Sequence, residues 1–205
     1  MQSVEETIVV GAGPVGLTFA ANMVRHGRPV TVLEAAPELS TAWRASTFHP
    51  PTLEKLEVLG IVEEMVERGL IADKYQIRDR THGLLAEFDL GELADETAYP
   101  YRLQLEQYKY SQLLLEKMAS SPLLTLCRGE TVEDVRTEDD GGDQVVVTST
   151  SSDGTSVERR ARFLVGADGA RSAVRHALGL ELEGHTYPVR FLILSTDYPF
   201  HERFG

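Results

Sequence analysis

The stretch Thr7-Ile8-Val9-Val10-Gly11-Ala12-Gly13-Pro14-Val15-Gly16 decides how the rest of this 205-residue chain is read. Four β-branched residues running straight into glycines read as a buried parallel strand. Pro14 suits the first turn of a helix, where its missing N–H is one of the groups left unpaired anyway. Beyond it Val15, Phe19 and Met23 recur every four residues with Ala20 and Val24 beside them, which predicts an amphipathic helix. Arg25 and His26 before Gly27 predict its end. Pro29 to Leu33 then returns as a second apolar strand closing on Glu34. Strand, helix and strand within about 30 residues make a parallel crossover unit, whose expected hand is right.

Composition narrows what such a unit can serve. Acidic residues number 32 against 20 Lys plus Arg, a net charge of −12, and no Lys/Arg-rich run occurs. Nucleic acid is therefore not an expected partner, because phosphate neutralisation supplies most of that affinity. Any phosphate must be held by local means. The single Cys127 rules out an internal disulfide framework and a Cys-based zinc site. No run approaches the roughly 18 to 20 apolar residues of a membrane span, and the first residues lack a charged segment followed by an apolar one. These features predict a cytoplasmic protein with no membrane association. The length suits one domain, or a domain and a half.

Further along, Thr52 to Leu59 and Val62 to Arg68 read as two short helices parted by Gly60, with Leu53, Leu56 and Leu59 on one face. Tyr75 to Arg80 and Leu84 to Leu90 shift to β-like alternation around His82-Gly83, and Glu106 to Ala119 returns to helical spacing. Thr131 to Thr137, Gln144 to Thr150 and Ser156 to Arg162, separated by two Gly-containing polar turns, predict a three-stranded antiparallel meander. The Thr148 to Ser152 tract within it reads as an exposed hairpin. Phe163 to Val165 is a short apolar strand of its own, followed by Asp168-Gly169 and a helix to about Leu178. Arg190 to Tyr198 is a last β-rich run.

The glycines have separable tasks. Gly11 permits the tight turn, Gly13 lets a pyrophosphate approach the backbone, and Gly16 lets helix pack on strand. Pro14 opens a helix whose first N–H groups and partial positive charge attract an anion. Glu34 follows Gly16 by 18 residues, near the roughly 20 expected of an acid that bonds a ribose hydroxyl. A carboxylate there disfavours a 2′-phosphate.

The later segment Leu164-Val165-Gly166-Ala167-Asp168-Gly169-Ala170-Arg171-Ser172-Ala173-Val174-Arg175 carries a second fingerprint. Together with the opening unit it resembles the FAD-dependent aromatic hydroxylases, flavoprotein monooxygenases of the para-hydroxybenzoate hydroxylase type. The resemblance implies an α/β fold: a Rossmann-like FAD-binding domain, parallel sheet with β-meander, interrupted by strands of a partial, mixed β substrate domain. Residues 1–73 and 102–182 would form the former, and 74–101 and 183–205 the latter. Asp168 and Gly169 would lie beside the flavin pyrophosphate and ribityl region, although an Asx turn capping a helix explains Asp168 as well. Arg44 matches an arginine near the FAD phosphates, a task suited to an always-charged fork. Gln107 matches a glutamine that bonds the ribityl chain, with Gln104 competing three residues earlier. Ala35 and Val132 match positions whose backbone faces the AMP half, and plain packing accounts for both equally well.

The implied activity is NAD(P)H-dependent hydroxylation of a small, usually phenolic substrate by O₂ through a C4a-hydroperoxyflavin. Arg190, Phe191 or Tyr198 would face the substrate. The family's third fingerprint, Gly-Asp-Ala-Ala-His before a proline and a Gly-rich helix start, is absent, so the chain corresponds to roughly the first half of a family member and is expected to be inactive alone. A geranylgeranyl-reductase-like FAD oxidoreductase of the same fold is an alternative, and so is a non-catalytic nucleotide-binding module whose open edge strands pair with a partner or form a homodimer. A halogenase is disfavoured, since its Trp-x-Trp-x-Ile-Pro segment cannot be built around Trp43 alone. The six histidines lack HxxxH or HExxH spacing, which predicts no metal site. Ser111, Ser172 and Ser195 lack a nucleophile elbow, Cys127 reads as packing, and Glu138 to Asp143 as a solvated hairpin tip.

Overall fold

The computed structural model describes residues 4–138, 143–190, 192, 196–200 and 202. Its main sheet is organised around β1 (Glu5–Val10), which pairs in parallel with β2 (Val30–Glu34) on one side and β11 (Ser156–Gly166) on the other. β8 (Leu124–Arg128) extends the parallel part beyond β2, and β10 (Val145–Ser151) and β9 (Glu130–Thr137) extend the sheet antiparallel beyond β11. The six strands run in the order β8-β2-β1-β11-β10-β9.

Burial on both faces explains the unbroken apolar run of β1. Val9 joins the core beneath α1 (Pro14–Arg25) and α4 (Gln107–Met118), with Leu17, Ala20, Leu113 and Leu114. Ile8 and Val10 point to the opposite core, with Leu33, Val135, Val147 and Val174. The two helices are also joined by polar groups. The Tyr110 and Thr18 hydroxyls lie 2.5 Å apart, and Thr18 donates to the Pro14 carbonyl one turn back.

A second, three-stranded sheet is built from β3 (Thr47–Phe48), β4 (Leu70–Ala72) and β7 (Arg102–Gln104), with β7 central and both neighbours antiparallel. Between β3 and β4 lie α2 (Pro50–Leu56), a 3₁₀ turn over Glu57–Leu59 and α3 (Val62–Arg68). Leu53, Leu56 and Leu59 are all buried, as their shared face predicts. β5 (Lys74–Asp79) and β6 (Gly83–Asp89) form a separate hairpin with Tyr75, Ile77, Leu85 and Phe88 exposed. A 3₁₀ turn over Leu90–Leu93 follows β6, and α5 (Ala173–Ala177) ends with Leu178 as its cap, where the sequence places the helix end.

The structure corrects several readings. Thr148 to Ser151 is strand rather than exposed hairpin, and Ser149 is fully buried because its hydroxyl donates to Glu130. The turn itself occupies the residues after Ser151. Ser156–Arg162 and Phe163–Val165 are one eleven-residue strand, since β11 pairs with β10 along its first half and with β1 from Ala161 to its end at Gly166. β8 was not expected, and β3, β4 and β7 are too short to show a period of two. In the Arg190 to Tyr198 run, Phe191 and residues 193–195 lie outside the described residues. The described residues of the run are in no strand. Among the described residues no helix is long and apolar enough to cross a membrane.

The core carries a direct test. Leu113 has 0% exposure and Val58 53%, so Leu113→Ala should cost about 2–5 kcal/mol in urea unfolding, whereas Val58→Ala should stay within about 0.5 kcal/mol of the parent.

Candidate functional site

At the carboxyl ends of β1, β2 and β11 the chain leaves a cleft of about 600 Å³. This is where open α/β sheets place ligands. Three main-chain segments meet there. The Gly11 N–H donates to the Leu33 carbonyl at 2.7 Å, and the Ala167 N–H donates to the Val10 carbonyl at 2.8 Å. Gly11 has φ +102°, and a Cβ on it would stand 2.5 Å from the Ala167 oxygen. A side chain at Gly16 would overlap the Gly11 carbonyl. Both glycines are therefore demanded by the protein's own packing.

Gly13 is different. It lines the cleft, and a Cβ on it would meet no heavy atom within 4 Å. Its Cβ would intrude only on whatever fills the cleft. Gly13 is also the residue before α1, where no side chain caps the helix and Pro14 takes the first position. The first-turn N–H groups have no partner within the helix. An open cradle, an uncapped helix end, and Arg44 and Arg171 on the rim together fit a pyrophosphate.

Glu34 ends β2 with both carboxylate oxygens engaged. Oε2 accepts from the Ala12 N–H at 2.7 Å and Oε1 from the Ala36 N–H at 2.9 Å. The first bond ties the glycine-rich turn to the neighbouring strand. Each carboxylate oxygen retains acceptor capacity for a ribose hydroxyl.

Of the residues singled out from sequence, Gly11, Gly13, Pro14, Glu34, Ala35, Arg44, Gln107, Val132, Asp168 and Gly169 all line this cleft. Gly16 lies beneath it as packing. Gln107 opens α4, with its N–H donating to the Ala45 carbonyl at 2.9 Å. Gln104 lies instead in β7, where its side-chain oxygen accepts from Thr47 at 3.0 Å and Ser46 at 3.4 Å. Asp168 accepts from the Val174 N–H at 3.3 Å while lining the cleft, and Ser172 is the residue that caps α5, accepting from the Arg175 N–H at 3.0 Å. Arg190 and Tyr198 are exposed and do not line the cleft.

Sequence reasoning passed over Ala12, Tyr108, Ser111, Glu130 and Arg171, all cleft-lining. Arg171 stands inside the second fingerprint and could have been found there. Glu130 gave no signal, because an acid at a strand start reads as solvated. The structure buries it, 6% exposed, against Ser149 at 2.5 Å and Arg159 at 3.0 and 2.9 Å. Burial pushes the Glu130 carboxyl up, but the Arg159 and Ser149 hydrogen bonds outweigh it and hold the group below the usual carboxylate range. Burial also pushes the nearby Cys127 thiol up, against the pull of Arg159. A neutral thiol suits its reading as a packing residue.

Residues 5–202 match the family described as FAD binding domain. The chain belongs to that family. It is 34% identical over 200 residues to the para-nitrophenol 4-monooxygenase of Pseudomonas sp. (strain WBC-3), covering 98% of this chain and 49% of that protein. It is likewise 34% identical over 202 residues to 6-hydroxy-3-succinoylpyridine 3-monooxygenase HspB of Pseudomonas putida (strain DSM 28022 / S16), covering 98% and 50%. Among solved structures, p-nitrophenol 4-monooxygenase PnpA from Pseudomonas putida DLL-E4 superimposes with a TM-score of 0.86 at 32% identity, over 91% of this chain and 46% of that one. The chain spans about half the length of these relatives. FAD is the cofactor of this FAD binding domain, and the cleft described above fits it.

The contrast between two glycines gives a prediction. Gly16→Ala should destabilise the fold by about 1–3 kcal/mol through overpacking. Gly13→Val should leave the melting temperature within about 2 °C of the parent while weakening FAD by about 100-fold in a flavin-fluorescence titration, roughly 2.7 kcal/mol. An affinity unchanged by Gly13→Val would remove this turn from the cofactor site.

Proposed function

We propose that this chain is the FAD-binding portion of an NAD(P)H-dependent flavoprotein monooxygenase that hydroxylates a small aromatic, phenolic substrate with O₂. The observation that carries the reading is the meeting of the Gly11 turn and the Ala167-Asp168 turn on one cleft. The names of the relatives, which include nitrophenol and hydroxypyridine monooxygenases, support the substrate class. When bound, FAD supplies the electron transfer from nicotinamide and the activation of oxygen.

The chain's own residues divide the task of holding it. The α1 end and Arg44 hold the pyrophosphate, and Glu34 accepts from the ribose of the AMP half while repelling a 2′-phosphate. Ala35 and Val132 border that half with their main chain. Gln107, Asp168 and Gly169 border the ribityl side. In this reading residues 1–73 and 102–182 are the FAD-binding domain. Residues 74–101 and 183–205, including the exposed hairpin of β5 and β6, belong to the substrate domain. The exposed Tyr75, Ile77 and Phe88 suit burial against further protein, whether a continuation of that domain or a second copy in a homodimer. A cytoplasmic location belongs to the same proposal and accords with a single free cysteine.

Purified with the whole of its reading frame, the protein should be yellow. It should oxidise NADH or NADPH faster when a nitrophenol or a dihydroxybenzene is added. A colourless protein that gains no flavin spectrum on addition of FAD overturns the assignment.

A further inference from the structure

Glu130 begins β9, an edge strand of the main sheet, which among the described residues pairs only with β10. Edge strands are the least restrained part of a sheet, and this one is further loosened by a bulge. Val132 pairs with Ser149 and Asp134 with Thr148, which leaves Glu133 as an extra residue. Yet this same end of β9 lines the cleft through Glu130, Thr131 and Val132. It lies at the Glu34 end, because the Gly129 N–H donates to the Ala36 carbonyl at 3.2 Å.

A side-chain bridge across the sheet compensates for the missing restraint. Glu130 takes the Arg159 guanidinium in a two-pronged pair, reaching over β10 to β11, and accepts the Ser149 hydroxyl as well. Arg159 continues to Glu5 of β1 at 3.5 Å and to the Cys127 sulfur at 3.6 Å. Buried ion pairs add little net stability over apolar residues of the same volume. Their strength is directional, as a planar fork accepts one geometry.

We propose that the Glu130–Arg159 pair is a positioning device for the adenosine end of the cleft, fixing the bulged start of β9 and with it the main chain of Thr131 and Val132 where a dinucleotide meets it. The inference rests on the FAD-binding reading above. It assigns to two residues outside both fingerprints a part in cofactor affinity, exerted through the main chain of β9.

The test uses the protein expressed with the whole of its reading frame and freed of flavin, with ADP titrated by calorimetry and FAD by flavin fluorescence. Glu130→Met combined with Arg159→Met replaces the pair with apolar side chains and leaves Glu5, whose side chain is 22% exposed but whose Oε2 is buried, without its cation. The double variant should melt several degrees below the parent and bind both ligands about tenfold more weakly, with equal losses for ADP and FAD. Equal losses place the effect on the half the ligands share. Glu130→Gln, which keeps the Ser149 bond and one prong of the fork, should lose about threefold. If the double variant does not fold, the Gln variant alone decides. Affinity for ADP within twofold of the parent in every folded variant, even with a lowered melting temperature, assigns the pair a structural role only and overturns the proposal. If the unsubstituted chain binds neither ADP nor FAD, the FAD-binding reading fails and this inference fails with it; binding by the parent and undisturbed binding by the variants sink this inference alone.

Discussion

The molecule depends on how closely two main-chain turns approach each other. β1 and β11 run parallel and adjacent, so their carboxyl ends emerge side by side, and the Ala167 carbonyl oxygen comes to rest 2.5 Å from where a Cβ of residue 11 would be. The contact admits only glycine, and it fixes both the entry into α1 and the path from β11 to α5. Gly16 repeats the constraint one turn into α1, pressing the helix onto the same carbonyl-bearing turn. The cleft is the space left over once these approaches are satisfied. The walls formed by these two turns inherit their placement from the central strands of the sheet, as a preorganised site requires.

Charge shapes what that cleft can do. A chain with net charge −12 has no broad field to attract a diphosphate. Positive charge stands close to the cleft all the same, in a helix end and in the Arg44 and Arg171 side chains that line it. The acids near the cleft are kept from opposing it. Glu34 is bonded to two backbone N–H groups, and Glu130 is neutralised by Arg159. Local pairing thus separates the site from the acidity of the whole.

Much of this was legible before any coordinates. The β1–α1–β2 unit announces itself through β-branched runs, a four-residue repeat and three glycines with distinct spatial duties. Ten of the residues lining the cleft are legible too, Gly11, Gly13, Pro14, Glu34, Asp168 and Gly169 through two motifs and Ala35, Arg44, Gln107 and Val132 through the family resemblance. What escaped follows a physical pattern. β3, β4 and β7 hold two or three residues each, too few for alternation to register, and exist because their partners are already in place. Ser149 looks like a turn residue and is a core residue, because Glu130 lies within reach of its hydroxyl. Glu130 and Arg159 are 29 positions apart, and neither residue type nor spacing reveals that folding brings them together. Asp168, legible as a helix-capping residue, does accept from the Val174 N–H in the first turn of α5, while Ser172 at the cap position itself gave no such signal.

The bare first turn of α1 has a consequence for dynamics. Serine, threonine or aspartate is favoured at the start of a helix because it closes the first turn, but α1, like α2, α3 and α4, holds no such bond, and it begins at Gly13-Pro14 on the cleft. An anion that accepts from those N–H groups completes the hydrogen bonding of the helix as it binds. Occupancy of the cleft and integrity of the first turn become one equilibrium. The backbone amides of Val15 and Gly16 are then reporters of ligation, exchanging their protons with solvent freely when the cleft is vacant and slowly when it is filled.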